Sequence, residues 1–62
     1  MNIEITRRTK CRWIASVDEV QIASIVKVGT LFECLDHAGE TISHYFSLET
    51  ASNSIRKIYN EC

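Results

Sequence analysis

The amino-acid sequence predicts an α+β fold, an antiparallel β-meander of four to five short strands followed by one C-terminal amphipathic helix packed on one face of the sheet. The first two thirds of the chain alternate apolar and polar residues with period two, which is typical of strands with unlike faces. From Ser47 onward apolar residues recur every three or four positions, as in an amphipathic helix. Because the chain has 62 residues, 45% of them hydrophobic, we expect residues 1–62 to form a single domain.

Turn-forming residues divide the alternating region into strands. Asp18-Glu19 is a candidate two-residue loop, and Gly29-Thr30 suits a type II′ hairpin turn. The segment 36–40 combines an Asp that begins a type I turn with Gly39, which can form a G1 bulge. The predicted strands cover residues 2–7, 11–17, 20–28, 31–36 and 40–46.

The predicted turns also set the strand registers, and the registers decide which side chains share a face. The turn at 36–40 is expected to pair Cys34 with Ile42. This register directs the following side chains toward the helix: Phe32, Cys34, Ile42 and Phe46. It directs three others away from the helix: Leu31, Leu35 and Tyr45.

The early strands are predicted to carry a second apolar stripe on one face, formed by Trp13, Ala15, Val17, Val20 and Ile22. Ile14 and Ala23 are expected on the opposite face. The run 24–26 breaks strict alternation, as a β-bulge would. Both faces of the sheet therefore carry apolar side chains, and one short helix covers only one of them. We expect either a sheet that curls on itself or association with another chain.

The C-terminal helix is predicted over residues 48–60. Ser47 is a suitable N-cap, Glu49 in the first turn suits the helix dipole, and Arg56 and Lys57 lie toward the end. The expected inward face consists of Leu48, Ala51, Ile55, Ile58 and Cys62.

The segment RRTKCRW, residues 7–13, holds four of the seven basic residues of the chain and the only tryptophan. Residues 1–12 carry four bases and one acid, whereas residues 13–62 carry three bases and seven acids. A domain that holds duplex nucleic acid is usually strongly basic over a whole face, and here only the first fifth is. A mimic of nucleic acid would need a larger excess of acids than the net charge of −1 provides.

A tight connection over residues 8–10 would make this segment the tip of the first hairpin, with Arg7 paired to Cys11 and Ile5 to Trp13. Such a basic tip can dock on an acidic protein surface, contact phosphates, or simply protect an exposed sheet edge. Trp13 would stack on bases if it is exposed beside the arginines, but its parity with Ile5 and Ala15 favours a place in the core.

No catalytic or cofactor motif occurs in the sequence, so we expect neither enzyme activity nor a bound cofactor. Cys34, His37 and His44 are metal-ligating residue types, and Cys62 is a conceivable fourth ligand. Without a CxxC pair this set favours a buried cysteine over a metal site. A Cys-His nucleophile at Cys34 or Cys11 has no further support from the sequence.

Three cysteines at unequal spacings suggest reduced thiols, and the sequence shows no apolar run of membrane-spanning length and no signal peptide. We therefore expect a cytoplasmic protein without membrane contact. In size the chain resembles small accessory proteins of phages and plasmids, many of which bind a host protein. The sequence thus predicts a small protein-binding module, an inhibitor or adaptor on a larger protein, with a homodimer as a further expectation and a nucleic-acid-binding module as the alternative. The predicted contact residues are Arg7, Arg8, Lys10, Arg12, Trp13, Leu31, Leu35 and Tyr45.

Overall fold

The structure is a computed structural model that describes residues 2–60. It confirms the α+β fold, because five antiparallel strands are followed by one C-terminal helix packed against them. The elements are β1 (Glu4–Thr9), β2 (Arg12–Val17), β3 (Val20–Val28), β4 (Leu31–Asp36), β5 (Thr41–Tyr45) and α1 (Leu48–Asn60).

The strands form one sheet in the order β1-β2-β3-β4-β5, so each strand pairs with its neighbours in sequence. Helix α1 packs mainly on β3, β4 and β5. The buried core between the helix and the sheet is built from Ile3, Ala15, Ala23, Ile25, Cys34, Ala51 and Ile55. Small residues among these allow the helix to approach the sheet closely, since a helix can only pack where the facing side chains leave room.

The first hairpin differs from the predicted register. Arg7 pairs with Trp13 and Ile5 with Ala15, so the turn lies at Lys10 and Cys11 and the expected pairing of Arg7 with Cys11 is wrong. A bulge between Arg7 and Thr9 absorbs the extra residue. The shift is by two residues, so Ile5, Arg7 and Trp13 keep their predicted face, whereas Thr9, beyond the bulge, pairs with Arg12 on the other face.

The hairpin between β2 and β3 turns at Asp18-Glu19, as predicted, with Val17 paired to Val20. Both turn residues have positive φ, 51° and 68°, which is the type I′ pattern that asparagine and glycine usually supply. Ile22 is the unpaired extra residue of a bulge, because the ladder passes from the pair Ala15–Ala23 to the pair Ser16–Gln21.

This bulge corrects two predictions. The sequence pattern placed a bulge at residues 24–26, but the bulge lies before them, at Ile22. It turns Ala23 toward the helix instead of away from it. Val20, expected in the apolar stripe, is largely exposed at the start of β3. One inserted residue reverses the facing of every side chain before it relative to those after it.

The two glycine turns form where they were predicted. Val28 pairs with Leu31 around Gly29, whose φ is 62°. In the turn 36–40 the Asp36 carboxylate accepts hydrogen bonds from the backbone N–H groups of Ala38 (2.9 Å) and Glu40 (3.0 Å), and Gly39 has φ 87°. A side chain and a left-handed glycine thus fix this turn together.

Strand β5 contains a third bulge, which the sequence did not predict. Cys34 pairs with Ser43 and Leu35 with Thr41, so Ile42 is the extra residue and the predicted pairing of Cys34 with Ile42 is wrong. The shift turns Tyr45 toward the helix, where its hydroxyl lies 2.7 Å from Ser54 Oγ. Ile42 and Phe46, expected under the helix, are 39% and 82% exposed.

Helix α1 begins as the sequence predicts. The Ser47 hydroxyl accepts a hydrogen bond from the Thr50 N–H at 3.1 Å, which is an N-cap contact. Near the other end Tyr59, not Ile58, continues the inward face, and Ile58 is 41% exposed. Burial raises the pKa of the Tyr59 hydroxyl, which donates a hydrogen bond to the Ile22 carbonyl at 3.3 Å. Cys62, also predicted on the inward face, lies outside the described residues.

Candidate functional site

The four bases of the RRTKCRW segment separate onto different surfaces of the first hairpin. Arg7 lies on the helix side with Trp13, and its guanidinium donates hydrogen bonds to the carbonyls of Thr9 (3.1 Å) and Lys10 (3.4 Å) across the turn. Lys10 occupies the turn itself. Arg8 and Arg12 lie on the opposite side, which we call the open face of the sheet because no described element covers it.

On the helix side, two cations and two aromatic rings form a continuous group that we call the cation–aromatic cluster. The Arg7 guanidinium lies 5.9 Å from the centre of the Trp13 ring, and the Lys27 ammonium lies 5.8 Å from the centre of the Phe32 ring. The two rings contact each other in a tilted arrangement, with centres 5.7 Å apart. These distances are within the range of favourable cation–π and aromatic contacts.

The cluster lies at the end of the sheet next to the first hairpin turn, where β2 and β4 begin and β3 ends. Trp13 and Phe32 are half-buried against the core, whereas Arg7 and Lys27 are exposed. Each ring therefore has one side in the core and leaves part of its surface, with a cation above it, toward solvent. Trp13 therefore packs against the core on one side and is exposed on the other, which is between the two positions considered from the sequence.

The predicted apolar contact residues are not brought together. Leu31 and Leu35 share the open face on β4, but Trp13 and Tyr45 lie on the helix side. Tyr45 is held there by its contact with Ser54. The predicted set is therefore two separate half-sites on opposite faces of the sheet.

The open face combines apolar and polar side chains. One row across the strands runs Thr6, Ile14, Ser24 and Leu35, and the next runs Arg12, Val26, Glu33 and His44. Ser24 at the centre is only 9% exposed, because its larger cross-strand neighbours Ile14 and Leu35 rise on either side of it. A shallow hollow of about 370 Å³ adjoins this region, lined by Thr6, Arg8, Ile14, Ser16, Glu19 and Gln21.

Charges are segregated along the strand direction. The end of the sheet with the turns at Lys10 and Gly29 holds five of the seven bases, namely Arg7, Arg8, Lys10, Arg12 and Lys27. The end with the turns at Asp18 and Gly39 holds five of the eight acids, namely Glu4, Asp18, Glu19, Asp36 and Glu40. The near-zero net charge therefore conceals a basic end and an acidic end.

The cysteine and histidine candidates do not assemble. Cys34 is fully buried, its thiol contacts the Ala51 carbonyl at 3.8 Å, and burial raises its pKa. Cys11 is exposed at the hairpin tip. Within residues 2–60 no three side chains of His, Cys, Asp or Glu come together as a metal site would require.

Sequence reasoning missed Lys27 and Phe32 as members of the cluster, and Val26 and Glu19 on the open face; it predicted the face of Ile14 correctly but did not count it as a contact residue. The pairing of Phe32 with Lys27 follows directly from the Gly29-Thr30 turn, which the sequence does reveal. The faces of the residues on either side of Ile22 depend on the bulge, and no residue pattern marks a bulge at that position.

No helix in the described range is both long and apolar enough to cross a membrane. Comparison with known proteins finds no family model, no curated protein and no solved structure that matches this chain.

Proposed function

We propose that this protein is a non-enzymatic protein-binding module, an inhibitor or adaptor, that contacts an acidic surface of a larger protein through its basic end. The cation–aromatic cluster is the observation that carries the proposal. Arginine, tryptophan and other aromatic residues are the side chains most often found at the energetic centre of protein interfaces.

The geometry of the cluster suits such a contact. The hydrogen bonds from Arg7 to the turn carbonyls hold its guanidinium over Trp13, so less side-chain freedom is lost when a partner binds. The exposed Lys27 lies beside it over the second ring. An acidic partner would meet two positioned cations together with aromatic surface, and both terms favour binding.

The distribution of charge favours a protein over nucleic acid. The molecule is only 30 Å in its longest dimension, and its acidic end would repel a long polyanion that extended along the strands. A protein partner has a bounded acidic patch, which can match the basic end without meeting the acidic one.

The proposal is tested by affinity capture from cells with two charge-matched variants. Arg7→Gln combined with Lys27→Gln removes both cations of the cluster, whereas Arg56→Gln combined with Lys57→Gln removes two exposed cations from the helix. A partner retained by the wild type and the helix variant, but reduced at least about tenfold with the cluster variant, supports the proposal. Equal recovery of partners by both variants contradicts it.

The alternative function is binding of single-stranded nucleic acid, and the half-exposed Trp13 ring beside Arg7 is the observation that favours it. Bases stack on such rings, and the cations would contact phosphates. Titration of a labelled random single strand and a random duplex at low salt tests this alternative through the fluorescence of Trp13. Absence of binding at tens of micromolar, near the usual non-specific range, excludes it.

A further inference from the structure

The open face of the sheet is not used by the proposed function, which depends on the opposite side of the first hairpin. It nevertheless has the features of a contact surface. Ile14, Val26, Leu31 and Leu35 are half-buried there although the helix lies on the other face. Charged side chains lie around them, as in the rim of a protein interface, and one charged residue, Glu33, lies among them.

The charges on this face are arranged in a self-complementary way. Arg8 and Arg12 lie toward the basic end on β1 and β2, and Glu4 and Glu19 lie toward the acidic end of the same two strands. Arg8 and Glu19 line opposite ends of one hollow. A surface with this pattern matches its own copy when the copy is turned end for end.

We infer that the open face is the docking site for a second copy of this chain, related by a two-fold axis perpendicular to the strands. In this arrangement the two sheets face each other with their strands antiparallel, as in an aligned sandwich. Arg8 and Arg12 of each copy meet Glu4 and Glu19 of the other. The interface is isologous, because the same patch serves both copies.

The centre of the face fits the same arrangement. The axis crosses the row of Ser24, so that this row meets its counterpart in the other copy. The row of Val26 then faces the row of Glu4, which brings the bases of one copy to the acids of the other. Apolar side chains that pack in this way build the core between packed sheets. The Glu33 carboxylate, in the same row as Val26, accepts a hydrogen bond from the Thr41 hydroxyl at 3.5 Å.

The available area is sufficient for a concentration-dependent dimer. Five strands about 4.8 Å apart and about six residues long give a face of roughly 24 × 20 Å. Two such faces together hide roughly 1,000 Å² of surface, which is the lower limit for a specific interface. We therefore expect a dimer that dissociates on dilution.

The first experiment measures the mass of the wild type and of two variants by sedimentation over a range of concentrations, in reducing buffer at low salt. The wild type is expected to dimerise. Val26→Asp places a carboxylate opposite the acidic end of the other copy and should weaken dimerisation at least about tenfold, whereas Thr30→Asp, at an exposed turn outside the face, should leave it unchanged. A wild type that remains monomeric at about 0.5 mM, well above typical specific affinities, overturns the inference.

The second experiment exchanges the charges. The variant Arg8→Glu/Arg12→Glu carries only acids at these positions, and Glu4→Lys/Glu19→Lys carries only bases, so each should be monomeric by like-charge repulsion. An equimolar mixture should restore the dimer, because every contact is again between opposite charges. Failure of the mixture to dimerise overturns the two-fold arrangement.

Val26→Asp and Glu4→Lys/Glu19→Lys keep all five bases of the basic end, so these two variants also separate this inference from the proposed function. Loss of the dimer with full recovery of the captured partner would show two independent surfaces. A wild-type dimer that survives both Val26→Asp and the charge exchange would place self-association elsewhere and would contradict the inference.

Discussion

The two faces of the sheet are built from the same five strands, yet they differ in how apolar residues are arranged. Under the helix, Ala15, Ala23, Ile25 and Cys34 are completely buried and adjoin one another across the central strands. On the open face, Ile14, Val26 and Leu35 are separated by Ser24 and Glu33 and only half-buried. The covered face forms the core of the fold, whereas the open face leaves its apolar side chains partly exposed.

The largest expected difference between covered and uncovered positions is in thiol reactivity. In a Cys62→Ser background, Cys11 should react with iodoacetamide as an ordinary exposed thiol, and Cys34 at least about a hundredfold more slowly because it must first be exposed by opening of the structure. Its raised pKa further lowers the fraction of thiolate at neutral pH. Mass spectrometry over time measures both rates, and equal rates would mean that the helix does not protect this part of the sheet.

The next largest effect is the difference in stability between truncating a side chain beneath the helix and truncating one on the open face. Ile55→Ala removes a completely buried side chain and should lower the free energy of unfolding by about 2–5 kcal/mol. Ile14→Ala, at a half-buried position, should cost about 1 kcal/mol. Urea unfolding of dilute protein measures both changes. Equal costs would contradict the distinction between the two faces.

A smaller effect of opposite sign is expected for Ser43→Ala. The Ser43 hydroxyl is buried beneath the helix and makes no hydrogen bond of standard geometry among the described residues, although it lies close enough to the Cys34 thiol and the Tyr45 hydroxyl to favour their ionised forms. Its removal should leave the free energy of unfolding unchanged or raise it by about 1 kcal/mol, because an unsatisfied buried group is costly. Ser54→Ala, which removes the hydrogen-bond partner of Tyr45, should instead destabilise the folded protein. Thermal unfolding measures both changes.

The smallest expected effect concerns the turn between β2 and β3. Glu19 adopts φ 68°, which costs an ordinary residue about 1–2 kcal/mol, and Glu19→Gly relieves this cost at the price of about 0.5–1 kcal/mol of chain entropy. A net gain of about 0.5 kcal/mol should appear as a small rise in Tm. Glu40→Gly serves as the control, since Glu40 lacks a positive φ and should not gain stability.

The fold and its turns could be predicted because local residues determine them. Asp36 and Gly39 fix one turn by a side-chain acceptor and a left-handed backbone, and Ser47 begins the helix by capping its first N–H groups. The period of the helix was also correct, although Ile58 and Tyr59 both fit steps of three or four from Ile55. The structure selects Tyr59, whose hydroxyl reaches a carbonyl of the sheet.

The candidate site was less predictable because it depends on two bulges. The extra residues Ile22 and Ile42 reverse the facing of their neighbours, and neither position carries the glycine that often marks a bulge. Tyr45 was therefore assigned to the wrong face. The split of the basic residues between two faces followed correctly from alternation, since the error in the first hairpin was a shift by two.

The hydrogen bond from Tyr59 to the Ile22 carbonyl has a consequence for the order in which the protein acquires its structure. The carbonyl that accepts this bond belongs to the bulged residue, so a hairpin paired one residue out of step would offer the helix a displaced acceptor and the wrong side chains. Helix α1, which is synthesised after the strands, thus stabilises the correct pairing of β2 with β3. Molecules in which β2 and β3 are paired out of register should accumulate when the helix is truncated, even though the strands themselves are intact.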